Sequence, residues 1–132
     1  MKVKILPSKT SGEVSAPPSK SFAHRYLIGS VLSRGKCVIK NIADSDDISA
    51  TLSCIEQLGG SVTKDGNIVT VIPTNEKQIE NAVFDCKESG STLRFFIPVV
   101  LATGAKNCTF LGSERLLARG IKEYEKLFEN SD

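Results

Sequence analysis

Three short stretches of the chain carry residue types that could hold an anion. The first is Pro17-Pro18-Ser19-Lys20-Ser21-Phe22-Ala23-His24-Arg25. Ser19 is a good helix N-cap, so Lys20, Ser21 and Arg25 fall in the first two turns of the helix it opens. Free N–H groups and the positive end of the helix dipole favour a negative charge at such a place. Lys20 would act there as a mobile point charge, and Arg25 as a planar fork for phosphate or carboxylate. Ser21 and Arg25 share one helix face. The plain alternative is a capped helix with solvated cations, and spacing alone does not separate the two.

The second stretch is Glu88-Ser89-Gly90-Ser91-Thr92-Leu93-Arg94. Gly90 lets the backbone come close to a ligand at another helix start. The alternative is a Ser-Gly turn with Arg94 paired to a carboxylate. The stretch differs from phosphate loops of the GxxxxGK[ST] type because no lysine follows. The third stretch, Glu114-Arg115-Leu116-Leu117-Ala118-Arg119-Gly120, puts two arginines in a polar loop, where solvated surface charge is the ordinary reading. His24 has no Asp or Ser partner close in sequence and reads as a structural or supporting residue rather than a general base. The acidic run Asp44-Ser45-Asp46-Asp47 reads as a helix start rather than a metal site, since no further ligand spacing follows it. Together these stretches suit a substrate with at least two anionic groups and leave the reaction open.

The elements that would position them follow from apolar spacing. Gly12 to Ala16 reads as a short strand, stopped by Pro17-Pro18. Residues 20–33 have helical periodicity with a wide apolar face at 22, 23, 26, 27, 28, 31 and 32, closed by Arg34-Gly35. Cys37-Val38-Ile39 starts a strand. A second helix carries Ile48, Leu52, Ile55 and Leu58 on one stripe and ends at Gly59-Gly60. Ser61 to Thr63 and Ile68 to Ile72 flank a turn and read as a hairpin. Pro73 to Glu80 is a polar connection. Val83 to Cys86 reads as a strand. Residues 92–103 form an apolar helix expected to be buried, with Pro98 inside it and a kink to match. Asn107 to Leu111 reads as a strand, Gly112 to Arg119 as a polar loop or irregular turn, and Ile121 to Phe128 as a last amphipathic helix.

An offset of 69 positions carries Arg25 onto Arg94, Ile28 onto Ile97, Val31 onto Val100, Leu32 onto Leu101 and Gly35 onto Gly104. The period is longer than that of solenoid repeats and suggests a duplicated βαβαββ unit in an α/β (α+β) fold. On this reading residues 1–132 are a single partial domain. Residues 12–73 form the first unit and 82–132 an incomplete second one, and residues 1–7 hold a strand that packs elsewhere.

The chain has 132 residues, enough for one domain. Its 17 Lys and Arg against 15 Asp and Glu leave a formal charge of +2, too balanced for a protein whose main partner is nucleic acid or an anionic membrane. No apolar run approaches the roughly 20 residues of a membrane span. Pro7 and Ser8 interrupt the amino end before a signal-peptide core could form, so the expected location is cytoplasmic. Cys37, Cys54, Cys86 and Cys108 form no CxxC pair and read as reduced structural thiols, with no zinc or other metal site.

Pro18-Ser19-Lys20-Ser21 with Arg25, Asp44-Ser45-Asp46-Asp47, Leu58-Gly59, Ser89-Gly90-Ser91-Thr92-Leu93-Arg94 and Arg119 occur in the order seen in 3-phosphoshikimate 1-carboxyvinyltransferases, the EPSP synthases. The chain resembles the N-terminal portion of that family from about residue 12 to its end. It departs from the common pattern at Pro18, Ser91 and Gly120, where many members have glycine, threonine and proline. The resemblance implies a truncated part of an inside-out α/β barrel. It implies transfer of the enolpyruvyl group of phosphoenolpyruvate to the 5-hydroxyl of shikimate 3-phosphate, with release of phosphate, on the route to aromatic amino acids and without a cofactor. By resemblance, Lys20 touches both substrates, Ser21 and Arg25 hold shikimate 3-phosphate, and Gly90 and Arg119 hold phosphoenolpyruvate. Ser91 and Arg94 shape the loop or add contacts.

The acid–base residues of the family lie in later segments, so this chain alone is expected to be inactive. The missing C-terminal part is an expected partner. Apolar surface left uncovered is expected to drive self-association or a rearranged packing. The alternatives are a non-catalytic anion-binding domain of the same fold, a fragment like UDP-N-acetylglucosamine enolpyruvyl transferase, and a soluble α/β domain with merely solvated cations.

Overall fold

The computed structural model describes residues 2–74 and 79–129, which form a mixed α/β arrangement of five helices and five strands. In order they are α1 (Lys20–Val31), β1 (Cys37–Ile39), α2 (Asp46–Gln57), β2 (Ser61–Asp65), β3 (Ile68–Ile72), β4 (Val83–Asp85), α3 (Gly90–Ala102), β5 (Thr109–Leu111), α4 (Glu114–Leu117) and α5 (Lys122–Phe128). The first three strands make an antiparallel sheet in the order β1-β3-β2, with Val38 opposite Thr70 and Val62 opposite Val71. Gly66, with φ of 54°, turns the hairpin between β2 and β3. β4 and β5 pair in parallel, Phe84 beside Phe110, through the crossover helix α3.

α1 and α2 pack on each other, on the antiparallel sheet and on α3, and α2 also meets β4. One core therefore runs through both sheets. It holds Leu27 of α1, Ile55 of α2, Val69 and Val71 of β3, Phe84 of β4 and Phe96 of α3, all fully buried. Each such side chain contributes about 1.5–3 kcal/mol. Phe84 stacks on Phe110 with ring centroids 5.1 Å apart, which locks the β4–β5 pair to its own aromatic ladder. The four cysteines are free, Cys54 and Cys86 fully buried among these groups. Its hydrogen bond to Cys86 and burial push the Cys54 thiol well up, keeping it protonated.

Several sequence expectations are corrected. Residues 12–16 are not a strand, and neither is the stretch 2–6; Val14 and Ile5 stand almost fully in solvent. A strand needs a ladder partner for its N–H and C=O groups, and among the described residues none lies beside these segments. No strand therefore precedes α1 among the described residues, whereas β4 and β5 pair in parallel on either side of α3 in sequence.

Residues 114–117 are a short helix rather than loop, because Ser113 caps them by accepting from the Leu116 N–H at 3.1 Å. The apolar face of α1 is narrower than its periodicity suggests: Phe22 and Tyr26 are each 61% exposed. α3 begins at Gly90 and is not buried all round, since Leu101 and Pro98 face solvent. The expected connection Pro73–Glu80 lies partly outside the described residues.

Candidate functional site

α1, α2 and α3 start close together, each capped in the same way. Ser19 accepts from the Phe22 N–H, Ser45 from Ile48 and Ser89 from Thr92. A serine three residues ahead of each donating N–H satisfies an orphan donor of the first turn and fixes where the helix begins. The first turns then border one hollow of about 520 Å³, lined by Lys20, Asp47, Glu88, Gly90, Ser91, Arg94, Phe95 and Arg119. Of the residues picked from the sequence, Lys20, Gly90, Ser91, Arg94 and Arg119 meet there.

Gly90 is the pivot of this wall. A Cβ at its position would stand 2.9 Å from Nη1 of Arg94 and 3.6 Å from Nη1 of Arg119. Two guanidinium groups thus lie over the bare backbone at the start of α3, and the absent side chain is what lets them do so. The N–H groups of that first turn and the two forks present donors to the same small space. Arg119 is placed by the turn that follows α4, where its N–H donates to the Leu116 carbonyl at 3.1 Å. Gly120 then takes φ of 67°, a backbone conformation closed to proline.

Ser21 and Arg25 do not line the hollow. The Arg25 Nη1 donates to the Ser21 carbonyl at 2.8 Å, and its guanidinium sits 4.9 Å from the centre of the Phe95 ring. Phe95 does line the hollow, so Arg25 stands one ring away from it, stacked and exposed. The Lys20 ammonium is 2.5 Å from Oδ2 of Asp47 and is more than half exposed. This ion pair is weak enough in water for an incoming anion to compete with it.

Asp47, Glu88 and Phe95 were not singled out as site residues from the sequence. The acidic run predicts a helix start, and Asp46 and Asp47 do fall in the first turn of α2. Its second role depends on α1 lying beside α2. The proximity of Phe95 to Arg94 was the only local signal for the aromatic wall.

His24 is 1% exposed and lies behind the hollow, its Nδ1 2.8 Å from Oγ1 of Thr51. Burial holds the imidazole pKa below its ordinary value; Asp47 pulls it up, and Lys20 and Arg25 add to the lowering. The neutral ring is a packing and hydrogen-bonding element there. Among the described residues no group of three or more His, Cys, Asp or Glu could hold a metal ion, and no helix is long and apolar enough to cross a membrane.

The helix starts of this small α/β domain gather ammonium and guanidinium groups around one hollow, an arrangement whose charge suits an anion. Residues 6–131 match the EPSP synthase (3-phosphoshikimate 1-carboxyvinyltransferase) family, and the chain belongs to that family. Proteins named 3-phosphoshikimate 1-carboxyvinyltransferase are similar along nearly the whole chain. The one from Clostridium novyi (strain NT) is 40% identical over 97% of this chain and 31% of its own length. That from Clostridium botulinum (strain Eklund 17B / Type B) is 42% identical over 96% of this chain and 30% of its own. That from Clostridioides difficile (strain 630) is 42% identical over 98% and 32%. The chain thus spans about a third of the length of these relatives.

Proposed function

We propose that this chain supplies the N-terminal part of a substrate site that transfers the enolpyruvyl group of phosphoenolpyruvate to the 5-hydroxyl of shikimate 3-phosphate. The bond between that oxygen and the enolpyruvyl C2 forms, the bond from C2 to the phosphate oxygen breaks, and inorganic phosphate leaves. In this reading Lys20 faces both substrates. Ser21 and Arg25 grip the 3-phosphate of the shikimate, and the Gly90 backbone with Arg119 grips phosphoenolpyruvate. Arg94, and Ser91 beside it, complete the wall. No proton-transfer residue, metal or cofactor is assigned to this chain. The setting is the cytoplasmic shikimate pathway.

The observation that carries this reading is the meeting of Arg94 and Arg119 over Gly90 in the hollow that Lys20 also lines. Two separate anions are accommodated because the cations fall in two groups, one over α3 and one on α1. We read residues 12–73 and 82–132 as two βαβαββ units of an inside-out α/β barrel, the second incomplete. The remainder of a longer enzyme would supply the other wall.

Calorimetric titration of the 132-residue chain with shikimate 3-phosphate, phosphoenolpyruvate and sulfate tests the assignment. Selective binding of the first two over sulfate is expected. Equal, weak binding of all three would leave a general anion-binding domain of the same fold.

A further inference from the structure

Pro98 lies inside α3 and has no N–H, so the carbonyl four residues earlier, that of Arg94, loses its helical partner. The Tyr124 hydroxyl of α5 donates to that carbonyl at 2.7 Å. On the other side of the same residue, Nη2 of Arg94 reaches the Gly120 carbonyl at 3.4 Å. Arg94 is therefore held at both its main chain and its side chain by the segment 120–124, which begins one residue after Arg119.

α5 has seven residues and no side-chain N-cap at Ile121. A helix that short does not hold itself in place, so its position comes from what it docks on. Ile121 and Tyr124 pack against the core, and the Tyr124 hydroxyl supplies the directional contact. The turn carrying Arg119 is suspended between α4 and this docked helix.

We propose that Tyr124 is a positioning residue for the anion hollow. Its hydroxyl takes the place of the N–H that Pro98 lacks, pins α5 to α3 at Arg94, and so sets the Arg119 guanidinium over Gly90. The role of Arg119 toward phosphoenolpyruvate rests on the function proposed above; the placement of Arg119 by Tyr124 does not.

The test uses the whole 132-residue chain and three variants: Tyr124→Phe, Pro98→Ala and both together. Tyr124→Phe is expected to weaken phosphoenolpyruvate binding by about three- to tenfold, the worth of one hydrogen bond. Shikimate 3-phosphate binding, carried by α1, is expected to change less than about twofold. In the Pro98→Ala background the helical N–H is restored, so adding Tyr124→Phe is expected to cost little further affinity.

Equal losses for both ligands, the same loss with and without Pro98, or no loss at all would each overturn the proposal. If the parent chain binds neither ligand, the proposed function fails. The positioning claim is then decided by NMR. The Gly90 amide and Arg119 Nε resonances are expected to move in Tyr124→Phe and to move much less when Pro98→Ala is also present. Unmoved resonances, or the same movement in both backgrounds, would sink it.

Discussion

The side-chain hydroxyls of Thr51 and Thr92 lie 2.8 Å apart in the interior between α2 and α3. Thr51 also receives His24 of α1 at 2.8 Å, and Thr92 reaches the capping hydroxyl of Ser89 at 2.7 Å. Both threonines approach the Asp47 carbonyl, at 3.1 and 3.3 Å. A carbonyl only accepts, so at the Asp47 oxygen either threonine can be the donor, and each hydroxyl has one proton to give. Nε2 of His24 has no hydrogen-bond partner among the described residues. This buried network joins the first two turns of the same three helices that border the hollow.

Thr92→Val is therefore expected to destabilise the fold by about 1–3 kcal/mol, because buried hydroxyls on both sides lose a partner. Urea unfolding measures the loss. Thr109→Val on the exposed face of β5 is the control and should change stability by less than about 0.5 kcal/mol. Equal effects at the two sites would mean that the network contributes nothing.

The fold makes His24 pH-sensitive, and the sign follows from burial. In the unfolded chain His24 protonates near its ordinary value of 6.5; in the fold, burial lowers the pKa. The unfolded state thus binds more protons in this window. The stability contributed by the neutral ring is full above 6.5 and is lost as pH falls toward the folded value. Unfolding free energy should decline from about pH 7.5 to about pH 5.5, by no more than about 1.4 kcal/mol per pH unit for one proton. His24→Asn keeps a donor toward Thr51 and cannot titrate, so its stability profile should be flatter over that range. A parallel profile would show that other groups set the slope.

The helix starts were the part of the structure most legible in the sequence. Ser19, Ser45 and Ser89 each precede an apolar periodicity, and the hydrogen bonds of a first turn depend on near neighbours alone. The hairpin around Gly66 was legible for the same local reason. The segment 12–16 was not, because a strand is made by its partner and the alternation of Val14 and Ala16 carries no information about one. The network is not legible in the sequence because Thr51 and Thr92 look like surface polar residues on helices; only the packing of α2 on α3 buries them. The gathering of Arg94 and Arg119 over Gly90 joins residues far apart in sequence. It was anticipated only through the family resemblance and the chemistry of the stretches taken one by one.

The cations of the hollow are expected to divide the labour. Lys20→Met should weaken binding of both phosphoenolpyruvate and shikimate 3-phosphate, by about tenfold each, the scale of one charge-assisted hydrogen bond. Arg119→Met should weaken phosphoenolpyruvate binding similarly and leave shikimate 3-phosphate within about twofold. Both effects should shrink as salt is raised, since Lys20 and Arg119 are exposed. Calorimetric titration of the two variants with each ligand checks the pattern. Identical losses for both ligands with both variants would argue for one unspecific basic surface.

Binding is not turnover. The wall built by this chain offers donors for phosphate and carboxylate groups, and its buried imidazole is engaged with Thr51. A coupled phosphate-release assay on the purified chain with both substrates is expected to show no transferase rate above the no-enzyme background. Measurable turnover would place proton transfer on residues of this chain, with Asp47 and Glu88 of the hollow the first to substitute.

The uncovered apolar surface has its own consequence. Phe22 and Tyr26 stack in solvent on α1, with centroids 6.1 Å apart, and Leu101, Leu117 and Leu127 are each more than half exposed. Between α3 and the 116–121 turn lies an apolar cleft of about 520 Å³ bordered by Leu93, Ile97, Val100, Phe110 and Ile121. Apolar side chains clustered in this way leave water when a second surface is available. With the 132-residue chain alone in solution, that surface is another copy. Light scattering should therefore show mass rising with concentration, and Leu101→Lys combined with Leu117→Lys should shift it toward the monomer without lowering the unfolding midpoint. A monodisperse monomer at high concentration would show that these side chains tolerate water singly and that no association follows from their exposure.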